Sequence, residues 1–159
     1  MKTSIEVGEK HIDLVCNAFT PILFKQIFRR DFMVEFSNTS EKASNIVNKV
    51  KELTKLQSDL AEEKISKEEY LAKFQKLDIS TEGMEAINSK VELISMLTFV
   101  MNKQSEETDI KKLYQLSELD YFGFLSQFEK GELTSPDVTN KVIALWKGDS
   151  KPLVEAKNV

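Results

Sequence analysis

The stretch Met84-Glu85-Ala86-Ile87-Asn88-Ser89-Lys90-Val91-Glu92-Leu93-Ile94-Ser95-Met96-Leu97-Thr98-Phe99-Val100-Met101 decides the fold. From Val91 onward it leaves almost no polar face. Ile87, Val91, Ile94 and Met101 follow the three-and-four spacing of one helical stripe, and Leu93, Leu97 and Val100 make a second stripe beside it. Two apolar faces need two sets of partners. The spacing therefore predicts a central helix, ending near Lys103, around which the other segments are laid.

Downstream, Gln104-Ser105-Glu106-Glu107-Thr108 reads as a polar turn, with Thr108 capping a short helix over Asp109 to Leu116. Ser117 can cap the next, Glu118 to Lys130, which carries Leu119, Tyr121, Phe122, Phe124, Leu125 and Phe128 and stops at Gly131. Ser135-Pro136 starts the last helix with a capping hydroxyl followed by proline. Val138, Val142, Leu145 and Trp146 form its buried stripe, and Gly148 ends it. Residues 149–159 show no periodicity and read as a mobile tail.

Upstream, Ile79-Ser80-Thr81-Glu82-Gly83 breaks the pattern. Before it, Ser66-Lys67-Glu68-Glu69 reads as a capping box for a helix whose stripe is Tyr70, Leu71, Phe74 and Leu77. Ile46, Val50, Leu53, Gln57 and Leu60 recur at alternating spacings of four and three, a heptad seam with one polar interruption. The brief connection from Glu62 to Ile65 predicts that these two helices run antiparallel, so residues 39–77 form a protruding, Lys/Glu-rich helical hairpin. Ser37 to Ser40 reads as a polar breaker ahead of it, and Asp31 to Phe36 as an irregular continuation of an earlier helix. That earlier helix runs from Pro21 to Arg30, with Thr20 as its cap and Leu23, Phe24, Ile27 and Phe28 as its apolar stripe. At the N-terminus, Ser4 to Val7 and His11 to Val15 alternate around Gly8-Glu9-Lys10. This is a β-hairpin with Ile5, Val7, Ile12 and Leu14 facing inward, and a two-stranded ribbon must lie against helices to persist.

The fold class expected is mainly α: one helical domain over residues 1–148 with a small N-terminal β-hairpin and a charged helical appendage at 39–77. With 159 residues, 41 % of them hydrophobic and ten of them phenylalanine, the chain can bury a sizeable core. Its formal charge of −4 arises from 26 acids against 22 bases, and among the bases only Arg29 and Arg30 are arginine. No basic field gathers phosphates, so nucleic acid is not an expected partner. The single cysteine, Cys16, excludes an internal disulfide and fits a reducing compartment. The longest apolar run, Leu93 to Met101, is far short of the ~20 residues that span a bilayer, and no leader pattern opens the chain. No membrane association is expected.

Catalytic and cofactor chemistry is equally unsupported. The sole histidine, His11, alternates outward in the hairpin, and no second histidine or cysteine completes a metal set or a nucleophile–base pair. Five scattered glycines assemble neither a phosphate loop nor a dinucleotide turn. The carboxylate pairs Glu62-Glu63, Glu68-Glu69 and Glu106-Glu107 fall on solvated faces or turns, where nothing raises a pKa for acid–base work. The expectation is a non-enzymatic chain with no metal and no cofactor. What remains is apolar surface. Candidates for partner contact are Phe24, Phe28, Leu53, Leu60, Tyr121, Phe124, Phe128 and Trp146. Core packing accounts for most of the aromatic cluster from Tyr114 to Phe128, with one or two rings left exposed to bind.

The order of these pieces resembles the tail assembly chaperones of long-tailed phages of Gram-positive hosts. The resemblance rests on a small N-terminal hairpin and a proline-started helix ending in Phe28-Arg29-Arg30-Asp31. It continues through the central apolar helix, an acidic turn, the aromatic-rich Leu119-Asp120-Tyr121-Phe122-Gly123-Phe124-Leu125-Ser126-Gln127-Phe128, and a closing Val142-Ile143-Ala144-Leu145-Trp146. It covers Ile5 to Phe36 and Val91 to Trp146. Arg30 stands where that family more commonly has glycine before the helix-ending aspartate, and the 39–77 hairpin is longer than the resemblance leads one to expect. The resemblance implies an assembly factor in the host cell cytoplasm. Such a factor binds the tape measure protein and the major tail tube protein, keeps their apolar surfaces soluble, and leaves before the virion is complete. Proteins of this kind are often made in two forms by ribosomal frameshifting. The other reading is a helical regulatory or adapter protein that forms a homo-oligomer through the 46–60 seam.

Overall fold

The computed structural model describes residues 1–77 and 81–148, the side chains of residues 81–83 excepted. The segment read above as a mobile tail, 149–159, lies outside the described residues, as do Ile79 and Ser80 of the predicted breaker. The elements are β1 (Lys2–Val7), β2 (Lys10–Val15), α1 (Thr20–Phe28), α2 (Phe32–Ala61), α3 (Lys67–Leu77), α4 (Thr81–Glu106), α5 (Ile110–Tyr114), α6 (Glu118–Leu125) and α7 (Pro136–Lys147). The protein is mainly α, with a two-stranded antiparallel hairpin at its N-terminus and a charged helical hairpin from α2 and α3. It divides into two compact units. One combines Met1–Glu35 with the described residues from Val91 on, and the other is Phe36–Lys90.

In the first unit, β1 and β2 pair with Ile5 opposite Ile12 and Val7 opposite Lys10. That register leaves Gly8 and Glu9 as a two-residue turn. Gly8 takes a φ of +61°, as the first central position of a hairpin turn of this length requires. Alternation does the rest: Ile5, Val7 and Leu14 are buried, Ile12 is half-buried, and His11 faces out, 3.6 Å from Glu6.

Helix α1 begins one residue earlier than its sequence suggests. Thr20 is not the cap but the first helical residue, preceded by Phe19 in right-handed helical geometry. Its hydroxyl is engaged elsewhere, donating to Gln104 Oε1 at 2.7 Å and accepting the Asn17 N–H at 2.9 Å. At the other end, Arg29 closes α1 in the left-handed region, with φ +57°. Asp31 then starts α2 by accepting the Val34 N–H at 3.1 Å. Arg30 spans the corner, its Nε lying 2.8 and 3.0 Å from the two oxygens of Glu35.

The central helix is as apolar in space as in sequence, since every residue of α4 from Leu93 to Asn102 is buried. Buried hydroxyls need acceptors, and Ser95 and Thr98 donate back to the carbonyls of Val91 and Ile94. The helix runs on to Glu106, so the polar turn expected at Gln104 to Thr108 begins later. Tertiary bonds explain the extension. Gln104 Nε2 donates to Asn17 Oδ1, Asn102 Nδ2 donates to the Asp13 carbonyl, and the Ser105 hydroxyl lies 2.8 Å from that same oxygen. These side chains stay helical because the hairpin and its connection to α1 take their hydrogen bonds.

Asp109, rather than Thr108, caps α5 by accepting the Lys111 N–H. α6 begins after Ser117, whose N–H donates to Asp120 at 2.8 Å, and it ends at Leu125, short of the predicted Lys130. The chain tightens there to i−3 bonds, Gln127 to Phe124 and Phe128 to Leu125, and Lys10 Nζ takes the Gln127 carbonyl at 2.6 Å. α7 agrees with its sequence reading except at Trp146, which is half-buried rather than part of the buried stripe: Ser135 accepts the Val138 N–H, Pro136 follows, Val138, Val142 and Leu145 are buried, and Gly148 ends it at φ +76°.

The second unit corrects two expectations. Ser37 to Ser40 is no breaker, because α2 runs unbroken through it, and Thr39 bonds back to the Phe36 carbonyl. Polar residues other than Gly or Pro cost a helix at most about 0.7 kcal/mol each, too little to stop one whose neighbouring turns hold it. The covered face of α2 is also displaced from the predicted seam. Ala43 and Ile46 are buried and Leu53, Leu56 and Leu60 half-buried, whereas Val50 and Gln57 are exposed. Leu56, not Gln57, meets α3, and together with Glu52, Lys55, Asp59, Lys73, Lys76 and Leu77 it lines a groove between the two helices. Ser66 starts α3 by accepting the Glu69 N–H. Of the α3 stripe only Leu77 is buried, while Leu71 and Phe74 are exposed, Phe74 stacked on Tyr70 at 6.0 Å.

Candidate functional site

Six of the eight residues singled out as partner contacts come together, as one connected set of rings in the first unit. Trp146 packs edge-on to Phe32 at 4.8 Å, Phe32 to Phe24 at 5.3 Å, and Phe24 to Phe28 at 5.0 Å. Phe28 meets Tyr121 at 5.3 Å, Phe99 lies 5.6 Å from Tyr121 and 5.5 Å from Phe124, and Phe124 meets Phe128 at 5.1 Å. Edge-on and tilted pairs at these distances contribute about 0.5–1.5 kcal/mol each beyond their area.

Burial separates structural rings from available ones. Phe24, Phe28, Tyr121 and Phe124 are buried and hold the core together. Phe128 and Trp146 are half-buried at its two ends, and Lys10 Nζ sits 5.4 Å from the centre of the Phe128 ring. Leu53 and Leu60 lie apart from these rings in sequence and in unit, half-buried on the covered face of α2. Burial also pushes the Tyr121 phenol up to about 12, with a smaller push from the Glu92 carboxylate, so it remains a neutral ring of the core. The Cys16 thiol is likewise raised by burial, against the opposing influence of its hydrogen bond with Thr20 and of the N-terminal charge.

The apolar surface that is available on α6 is different. Leu119 is 77 % and Phe122 56 % exposed. They lie three residues apart, as do Tyr121 and Phe124, and at about 100° per residue the two pairs fall on opposite sides of the helix. A helix of eight residues carrying five large apolar side chains buries one pair and presents the other. Ile22, Ile110 and Tyr114 add exposed apolar surface elsewhere in the same unit.

Ionisable groups pair with one another and cap helix ends. Glu62 pairs with Lys64, Glu106 with Lys103 and Glu107 with Lys112. Glu107 also accepts the Asp109 N–H. Among the described residues no group of three His, Cys, Asp or Glu side chains converges as a metal site. Nor is any helix among them long and apolar enough to cross a membrane. The arrangement offers reversible apolar contact. Sequence reasoning missed Leu119 and Phe122 as the presented pair, and missed Arg30 as the brace of the α1–α2 corner. The only signal for Arg30 was its place before a helix-starting aspartate. No family model, curated protein or solved structure matches this chain.

Proposed function

We propose that this chain is a phage tail assembly chaperone, a non-enzymatic protein that binds tape measure and tail tube proteins in the host cytoplasm and keeps them soluble until the tail is built. The reading is supported by the resemblance in element order, and by one observation above the rest: Leu119 and Phe122 stand out into solvent from the aromatic-rich helix. Large apolar side chains held outward on a rigid, capped helix supply the reversible contact that shielding an apolar client demands. The chain's surplus of acid keeps the loaded complex in solution.

The test is co-expression with a tape measure fragment that is insoluble alone. The chain should bring the fragment into the soluble fraction and co-purify with it, and Leu119→Ser/Phe122→Ser should abolish both. No gain in solubility with the unaltered chain would overturn the reading. The adapter alternative draws less support, since Ile46 of the proposed seam is buried and Leu56 already faces α3.

A further inference from the structure

On the first unit, α1 and α5 enclose a groove of about 380 Å³ lined by Ile22, Lys25, Gln26, Arg29 and Tyr114. Ile22, Lys25 and Gln26 stand at i, i+3 and i+4 on α1, opposite the buried Leu23, Phe24, Ile27 and Phe28, and Arg29 follows as the residue that closes the helix; Gln26 is half-buried and the other three are exposed. Its floor is apolar, with Ile22 53 % and Tyr114 40 % exposed, and its far end is cationic. We propose that this groove docks an acidic amphipathic helix of a partner protein. Two carboxylates one turn apart meet Lys25 and Arg29, and the apolar edge beside them covers Ile22 and Tyr114. The proposal rests on the reading that the chain binds a polypeptide, and it names where and by what chemistry.

Three observations carry it. First, the cations are uncompensated. α1 contains no acidic residue, and neither Lys25 nor Arg29 forms an ion pair among the described residues, although the neighbouring Arg30 and Lys112 have Glu35 and Glu107. Like charges one turn apart on a helix repel, so the fold alone gains nothing from the pair. Second, Arg29 occupies a left-handed position, φ +57°, where glycine is the cheaper residue. A long cation is thus held where the backbone does not favour it. Third, the spacing selects a helix. Lys25 on the last turn of α1 and Arg29, the residue that closes it, stand four residues apart on the same side of the groove, matching i and i+4 carboxylates on a partner helix. A polyanion is a poor fit, because two cations are too few to hold an extended phosphate backbone against a chain of net charge −4, and phosphate makes no use of Ile22 and Tyr114. Tyr and Arg together beside an aliphatic floor are what protein-binding surfaces enrich.

The experiment measures fluorescence anisotropy of a labelled, Ala-based helical peptide carrying two Glu four residues apart beside Leu, titrated with the full chain. The same peptide with Lys for Glu, a short DNA duplex and anionic phospholipid vesicles are run in parallel. The acidic peptide should bind and the reversed one should not, and Lys25→Glu/Arg29→Glu should weaken binding at least about tenfold. Arg29→Gly should melt at a higher temperature than the unaltered chain yet bind the acidic peptide more weakly, a split that a merely structural role for Arg29 would not produce. Equal binding of both peptides, unchanged binding by the double variant, or DNA or vesicles bound in preference through these residues would overturn the proposal. If Lys25→Glu/Arg29→Glu loses the peptide but the unaltered chain solubilises no tape measure fragment, the groove stands and the chaperone reading falls. If the double variant still captures that fragment and still binds the peptide, the groove falls alone.

Discussion

Thr20 donates its hydroxyl proton to Gln104 Oε1 at 2.7 Å across 84 residues of sequence, in a position from which water is excluded. The bond ties the first turn of α1 to the end of α4, and Asn17 closes the network by bonding to both partners. Removing one partner leaves the other's polar atom buried and unsatisfied. Thr20→Val and Gln104→Leu should therefore each destabilise the chain by about 1–3 kcal/mol in urea unfolding. The double variant should cost less than the sum of the two, because both halves of the bond then leave together. Strict additivity in that cycle would mean the two side chains do not interact.

Tyr121 makes an alkaline prediction whose sign is fixed by its surroundings. Burial holds the folded phenol up to about 12, whereas an unfolded tyrosine ionises near about 10. Between those values the unfolded chain binds fewer protons than the native one, so stability falls as pH rises. The contribution is complete below the unfolded value and is lost as pH climbs through about 12. A spectrophotometric titration should show a late phenolate step that Tyr121→Phe removes. A Tyr121→Phe chain with the same late step would refute the assignment.

Where local chemistry and tertiary packing agree, the fold was legible from residues alone. The hairpin follows from strict alternation around Gly8, and α7 from Ser135-Pro136 at one end and Gly148 at the other. The all-round burial of α4 from Leu93 to Asn102 follows from two adjacent apolar stripes. Each of these signals is decided within a few residues. The misreadings have the opposite character. Thr20 has the composition of a cap, but a residue far along the chain claims its hydroxyl. Gln104 and Ser105 look like a turn, yet they remain helical because Thr20, Asn17 and Asp13 accept or offer their bonds. Val50 and Gln57 fit a strict heptad, but α2 packs its Leu56 side instead. The two apolar pairs of α6 are equivalent in spacing, and only the packed core decides that Tyr121 and Phe124 go in while Leu119 and Phe122 stay out. Distant partners, not local pattern, settle each of these cases.

Gly8 is held by backbone and by space together. Its φ of +61° is unfavourable for any residue with a Cβ, and a Cβ there would run into the Glu132 carboxylate. That carboxylate is itself engaged, accepting the Glu129 N–H at 3.0 Å. Gly8→Ala should cost about 1–2 kcal/mol, the left-handed penalty plus displacement of Glu132. Adding Glu132→Ala should recover only the part due to crowding, so a thermal melt of the pair should stay below that of the unaltered chain. Full recovery would show that backbone strain at Gly8 is negligible.

Phe122 and Phe124 give the sharpest contrast, because they sit two residues apart on one helix with the same side chain and opposite environments. Phe124 is 3 % exposed and touches both Phe99 and Phe128, so Phe124→Ala removes ring contacts and leaves a cavity. Its expected cost is about 3–5 kcal/mol, a large share of what a domain of this size has to lose. Phe122 is 56 % exposed, and its one ring neighbour among the described residues is Tyr121 at 5.9 Å. Phe122→Ala should therefore shift the urea midpoint by no more than about 0.5 kcal/mol equivalent. Client capture should respond in the reverse order per unit of stability lost. Phe122→Ala should impair co-purification of the tape measure fragment from a fully folded chain, whereas the effect of Phe124→Ala should track its unfolded fraction and recover on cooling toward the temperature of maximum stability. If Phe122→Ala leaves capture intact while Phe124→Ala destroys it in proportion to unfolding, the exposed face of α6 is not where the client binds.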